Sequence, residues 1–236
     1  MSLRALPWIL AVGMFVIGTT SLSILGIGPE LTRDLGLPAS AAGWLVTAFA
    51  ATFAIAAPVA QFVLAARLSQ RALIVVGAAL LALSLAWTAL ATTFGGLLAA
   101  RILSALGGAL IAPTSTALAI SLVPVARRGA ILAIVFGGFT LATVAGVPVA
   151  TWLSLALGWR GAMGAIAIVA AAFFVLVLIV LPAQTSSQAA TSTARIANRF
   201  HLGGLLCVTV CVLAAQFTLY ALMGEMLSQR ADVPDG

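Results

Sequence analysis

The chain has 236 residues, 63% of them hydrophobic and only 7% charged. Soluble domains carry about 25% charged residues, so this inventory cannot cover a water-facing surface, and lipid is the expected solvent. The eleven basic residues are all arginine, against five acids; the formal charge of +6 is scattered singly and in pairs rather than gathered into a nucleic-acid-binding patch.

A bilayer core takes about 20 apolar residues in helix. Seven runs meet that length, near residues 8–29, 40–63, 73–92, 97–122, 130–153, 161–182 and 202–222. The first follows Arg4 as a signal peptide would, but it stays apolar to about Pro29 and further spans follow, so a retained helix is expected. Thr92-Thr93-Phe94-Gly95-Gly96 reads as a tight turn between the third and fourth runs. Pro58, Pro113 and Pro148 fall inside runs, where each removes a backbone hydrogen bond and is expected to bend its helix. Alanines on the second run, Gly107 and Gly108 on the fourth, and Gly137, Gly138 and Gly146 on the fifth permit close helix contact. Cys207 and Cys211, at i,i+4 in the last run, read as small apolar residues rather than a disulfide or metal site.

Residues 183–200 break the pattern with a Ser/Thr/Ala-rich stretch. The expected organisation is an all-α, multi-pass membrane protein: a six-helix bundle over 1–182, a polar linker over 183–200, and a seventh helix with its tail over 201–236. With the N-terminus in the cytoplasm, Arg4, Arg67, Arg71, Arg127, Arg128, Arg195 and Arg199 lie inside. Arg33, Arg160, Arg230 and all five acids (Glu30, Asp34, Glu225, Asp232, Asp235) then lie outside. The five tryptophans fall near predicted helix ends, as interfacial rings should. Six helices, a linker and one more helix suggest a protein cut short.

Several stretches together resemble the major facilitator superfamily, and within it the bacterial drug and sugar efflux branch. Gly28-Pro29-Glu30-Leu31-Thr32-Arg33-Asp34-Leu35-Gly36-Leu37, followed by Ser40 to Ala48, resembles the first outer loop and second helix. Leu98 to Gly107 around Arg101 resembles the fourth-helix motif, Gly137 to Pro148 the fifth-helix antiporter motif, and Gly158-Trp159-Arg160 the turn that follows it. The loop expected to read G-x-x-x-D-R-x-G-R-R is Phe62 to Arg71 here. Arg67 and Arg71 remain, while Ala66 stands in place of the acid and Ser69 in place of the second glycine. The resemblance implies the N-terminal half of a twelve-helix transporter working by alternating access, exporting a drug-like or sugar-like solute from the bacterial inner membrane without a cofactor. The altered loop favours the alternative, a non-transporting half-transporter or gene fragment that needs a partner chain. The expected partners are the lipid bilayer, a small-molecule substrate, and a missing C-terminal half or second chain, with no nucleic acid.

Arg101 is the one charge inside a span; burying it costs about 2.5–3.5 kcal/mol at the bilayer centre. It is a candidate for substrate binding or proton coupling, or else its head snorkels to water from about one turn inside the helix. Gln216 and Tyr220 on the seventh run, with Thr20, Ser115 and Thr143, are the further substrate or coupling candidates. Thr19, Ser21, Ser23, Thr114, Thr116 and Thr140 are polar neighbours, each as readily bonded back to its own helix. Arg67, Arg71, Gly138, Gly146 and Pro148 are expected to serve conformational motifs. No acid lies within a predicted span, and no nucleophile–base pair, metal-ligand cluster or phosphate loop appears, so enzymatic chemistry is not expected.

Overall fold

A computed structural model describes residues 5–38, 40–121, 123–181 and 211. The chain divides into two compact units, Met1–Ala190 and Thr191–Gly236. The first holds every described residue except Cys211, which is exposed. The expected linker and seventh helix, with Gln216 and Tyr220, lie outside the described residues.

The described residues of the first unit form helices joined by short turns: α1 (Leu6–Asp34), α2 (Ser40–Val59), α3 (Gln70–Leu90), α4 (Phe94–Ser121), α5 (Arg128–Leu141) and α6 (Val147–Val180). These form five continuous stretches long and apolar enough to cross a membrane, the last covering Val125–Val180. That last stretch is 56 residues long, more than twice what a bilayer needs, and it does not run straight. Gly158 sits at φ 74°, ψ 161°, a region essentially reserved for glycine, and the chain reverses there. Before it, Gly138 packs against Ala11, Ala142 against Gly18, Gly146 against Thr19 and Thr151 against Gly26, so this leg runs alongside α1 in the same direction. After it, Phe173 reaches Gly13, so the second leg returns.

Local chemistry sets the ends. Pro7 starts α1 where its missing N–H costs nothing. The other end closes with Gly36 at φ 62°, the Gly36 N–H donating to the Arg33 carbonyl and the Leu37 N–H to the Thr32 carbonyl, a Schellman arrangement. Ser69 Oγ accepts from the Ala72 N–H to cap α3, and Thr93 Oγ1 accepts from the Gly96 N–H to cap α4. The α3–α4 turn is therefore shorter than expected, since Gly95 and Gly96 are already helical.

α1 packs against each of the other five helices and is the most enclosed. Glycines set the approach of α3 to α4: a Cβ at Gly77 would stand 2.7 Å from the Gly107 carbonyl oxygen, and the reverse holds for Gly107. α2 and the first leg of the hairpin are the least covered, exposing Ile55, Phe62, Leu141, Val144 and Leu155, an apolar surface suited to lipid or another bundle.

Three sequence expectations change here. Gly28 to Asp34 is not loop but the last two turns of α1, with Pro29 inside the helix. Pro113 lies in an uninterrupted α4, whereas Pro58 and Pro148 flank π-helical turns at Ala60–Leu64 and Ala142–Gly146. A π turn absorbs the bond a proline cannot make and re-aims the side chains that follow. Trp159 is not an interfacial ring: it is 2% exposed, while Trp8, Trp44, Trp87 and Trp152 face outward.

Candidate functional site

Arg101 lies seven residues beyond Phe94, about two turns into α4 and about 10 Å from the helix midpoint. A bilayer core about 30 Å thick would enclose it. Its side chain does not snorkel, contrary to one expectation: the residue is 4% exposed and points into the bundle between α1, α2 and α4. Nη1 donates to the Thr20 carbonyl oxygen at 2.6 Å, and the guanidinium carbon stands 6.0 Å from the centre of the Phe49 ring. Nε and Nη2 are buried without a hydrogen-bond partner.

That carbonyl is placed for a reason. Thr20 Oγ1 donates to the Val16 carbonyl one turn back, so the threonine hydroxyl satisfies its own helix. The Thr20 backbone oxygen is left to accept from Arg101 and from Ser23 Oγ, at 3.3 Å. Ser104 Oγ donates to the Arg101 carbonyl on the same face of α4. A charge in this setting needs more than one neutral acceptor and one ring face; two unmet N–H groups call for an oxygen-bearing partner.

Ser115, fully buried on α4, has a hydroxyl with no partner, as does Thr19 on α1. Neighbouring Thr114 accepts from Gln61 Nε2 at 3.4 Å. Gln61 sits in the π turn of α2 and was not singled out by sequence; an amide one turn past an intramembrane proline is the signal that points to it. Arg101 and Ser115 are fourteen residues apart on one helix, about 20 Å, so they do not form one site. Thr143 is half-buried in the second π turn and donates to the Thr140 carbonyl at 2.6 Å. Ser21 and Thr116 likewise bond back to their own helices.

The motif residues divide by what they touch. A Cβ on Gly138 would overlap the Ala11 carbonyl, and one on Gly146 would overlap Thr19 Oγ1, so both glycines set the approach of the first hairpin leg to α1. Pro148 is exposed just past the π turn. Arg71 Nη2 donates to the Leu178 carbonyl at 3.0 Å, tying the start of α3 to the end of α6; Arg67 is exposed.

Fold and site together define a multi-pass helical membrane protein with a guanidinium buried in an apolar bundle. The chain belongs to the Major Facilitator Superfamily, whose family model matches residues 10–233. It is 33% identical to the inner membrane transport protein YdhP of Escherichia coli (strain K12), over 92% of this chain and 56% of that protein. It is 32% identical to a chloramphenicol resistance protein of Streptomyces lividans, over 97% of this chain and 59% of that protein. Among solved structures, the peptide transporter POT in complex with sulfate aligns over 94% of this chain and 46% of its own, with a TM-score of 0.66 at 15% identity. The chain thus spans about half the length of the curated relatives it matches.

Proposed function

We propose that this chain supplies the first half of an alternating-access exporter of a small drug-like or sugar-like solute, with Arg101 as a solute or coupling contact. In this reading the six helical legs are six membrane crossings, the N-terminus is cytoplasmic, and the exposed faces of α2 and the first hairpin leg meet a second bundle. The observation that carries it is the buried Arg101 guanidinium, held by one carbonyl and left with two unmet donors. A purely structural arginine would be expected to reach water or a carboxylate. The described carboxylates, Glu30 and Asp34, are both bonded to the hairpin turn instead. Similarity to a chloramphenicol resistance protein supports a drug-like solute, and similarity to a probable sugar efflux transporter supports a sugar-like one.

The test is accumulation of fluorescent and radiolabelled drugs and sugars in pump-deficient cells expressing the full-length gene product. At least one solute should accumulate several-fold less than in vector controls. Accumulation equal to vector across the panel would overturn the transport reading. It would favour the second one, a bundle that needs a partner chain, to which Ala66 in place of the loop acid lends weight.

A further inference from the structure

The only carboxylates among the described residues, Glu30 and Asp34, sit one turn apart at the end of α1, and both are engaged. Glu30 accepts from Ser154 Oγ on the first hairpin leg and from the Trp159 backbone N–H, at 3.3 Å, on the second. Trp159 opens that second leg directly after the reversal at Gly158, so its N–H has no carbonyl a turn earlier in the same leg. Asp34 accepts from Trp159 Nε1 at 3.0 Å and pairs with Arg160. Arg160 Nη2 then donates to the Ala91 carbonyl, at 3.3 Å, where α3 ends. The Arg160 guanidinium also stacks on Trp159, 4.2 Å from the ring centre. Two carboxylates, one guanidinium and one indole thus tie three helices through five hydrogen bonds.

The opposite end is built differently. There α3 and the returning leg are joined by Arg71 donating to the Leu178 carbonyl, and no described carboxylate lies at that end. The Asp34–Arg160 pair is close to half exposed, so alone it would contribute little. Trp159 changes that: it is buried, and both its N–H groups are satisfied by the α1 carboxylates, so releasing them would strand buried donors.

We propose that Glu30, Asp34, Trp159 and Arg160 form a clamp that fixes α1, the end of α3 and both legs of the α6 hairpin into one rigid end. The clamp is read from geometry; only its use in a transport cycle rests on the function proposed above, and its test does not involve transport.

The experiment is hydrogen–deuterium exchange of the full-length protein in lipid nanodiscs. In the wild type, amides of residues 156–162 should exchange about tenfold more slowly than those of the turn at 65–69, because opening a bonded turn requires breaking the cluster. Glu30→Ala and Asp34→Ala should each erase about that tenfold protection at 156–162 while leaving 65–69 unchanged. Arg160→Ala should weaken that protection as well, because Arg160 bonds both Asp34 and the Ala91 carbonyl. Wild-type exchange equally fast at both turns would overturn the clamp, even if the variants failed to fold. So would folded variants that retain wild-type protection.

Discussion

Gly137 and Gly138 are adjacent in α5 and chemically identical, yet alanine should have opposite effects at the two. A Cβ at Gly137 meets nothing within 4 Å. Alanine there should gain about 0.5–1 kcal/mol of helix propensity. At Gly138 the new Cβ overlaps the Ala11 carbonyl oxygen, with the Ala11 carbonyl carbon at 2.7 Å and Cα at 3.0 Å. All three are backbone atoms of α1, so no rotamer change relieves the contact, and the helices must separate. Overpacking of this kind costs about 1–3 kcal/mol. The propensity gain is common to both variants and cancels in the comparison, so Gly138→Ala should be less stable than Gly137→Ala by about 1–3 kcal/mol. The assay is SDS-induced unfolding of the two variants in mixed micelles, read as folded fraction at matched detergent. Equal stability, or a less stable Gly137→Ala, would refute the close approach of α1 to the first hairpin leg.

Gly158→Ala should destabilise by about 1–3 kcal/mol through backbone strain alone. The nearest neighbour of a new Cβ is Glu30 Oε1 at 3.8 Å, ordinary contact, so Gly158→Ser should cost about as much; unfolding midpoints of the two would check this. Ser69→Ala should lower stability by about 1 kcal/mol by removing the cap on the Ala72 N–H, and Ser69→Asp should restore it in the same unfolding assay.

Much of the first unit was legible because hydropathy runs report length directly, and α2 and α3 begin within a few residues of where their runs do. The end of α1 was not legible. Pro29, Glu30 and Asp34 end an apolar run, but they do not end a helix whose carboxylates find partners across the bundle. Those partners are about 125 residues away in sequence, and nothing local announces them. Trp159 misled for the same reason: its indole N–H looks interfacial until Asp34 is seen beneath it. Arg101 was legible as a candidate from charge in an apolar run. Its burial was not, because its partner is the Thr20 backbone carbonyl, a group every residue carries. Ser115 and Thr143, equivalent in the sequence, differ in the structure: one hydroxyl is buried and unpartnered, the other bonds its own helix.

The central claim is that the buried Arg101 guanidinium acts in solute movement. It is tested most directly by flux of an identified solute through the full-length protein in liposomes, comparing wild type, Arg101→Lys and Arg101→Ala at equal reconstituted amounts. Arg101→Ala should lose about tenfold or more of the flux, from unmet contacts worth about 1.4 kcal/mol or more. Partial flux is expected in Arg101→Lys, which keeps the charge but not the planar donors. Wild-type flux in a correctly folded Arg101→Ala protein would contradict it and leave Arg101 a packing residue.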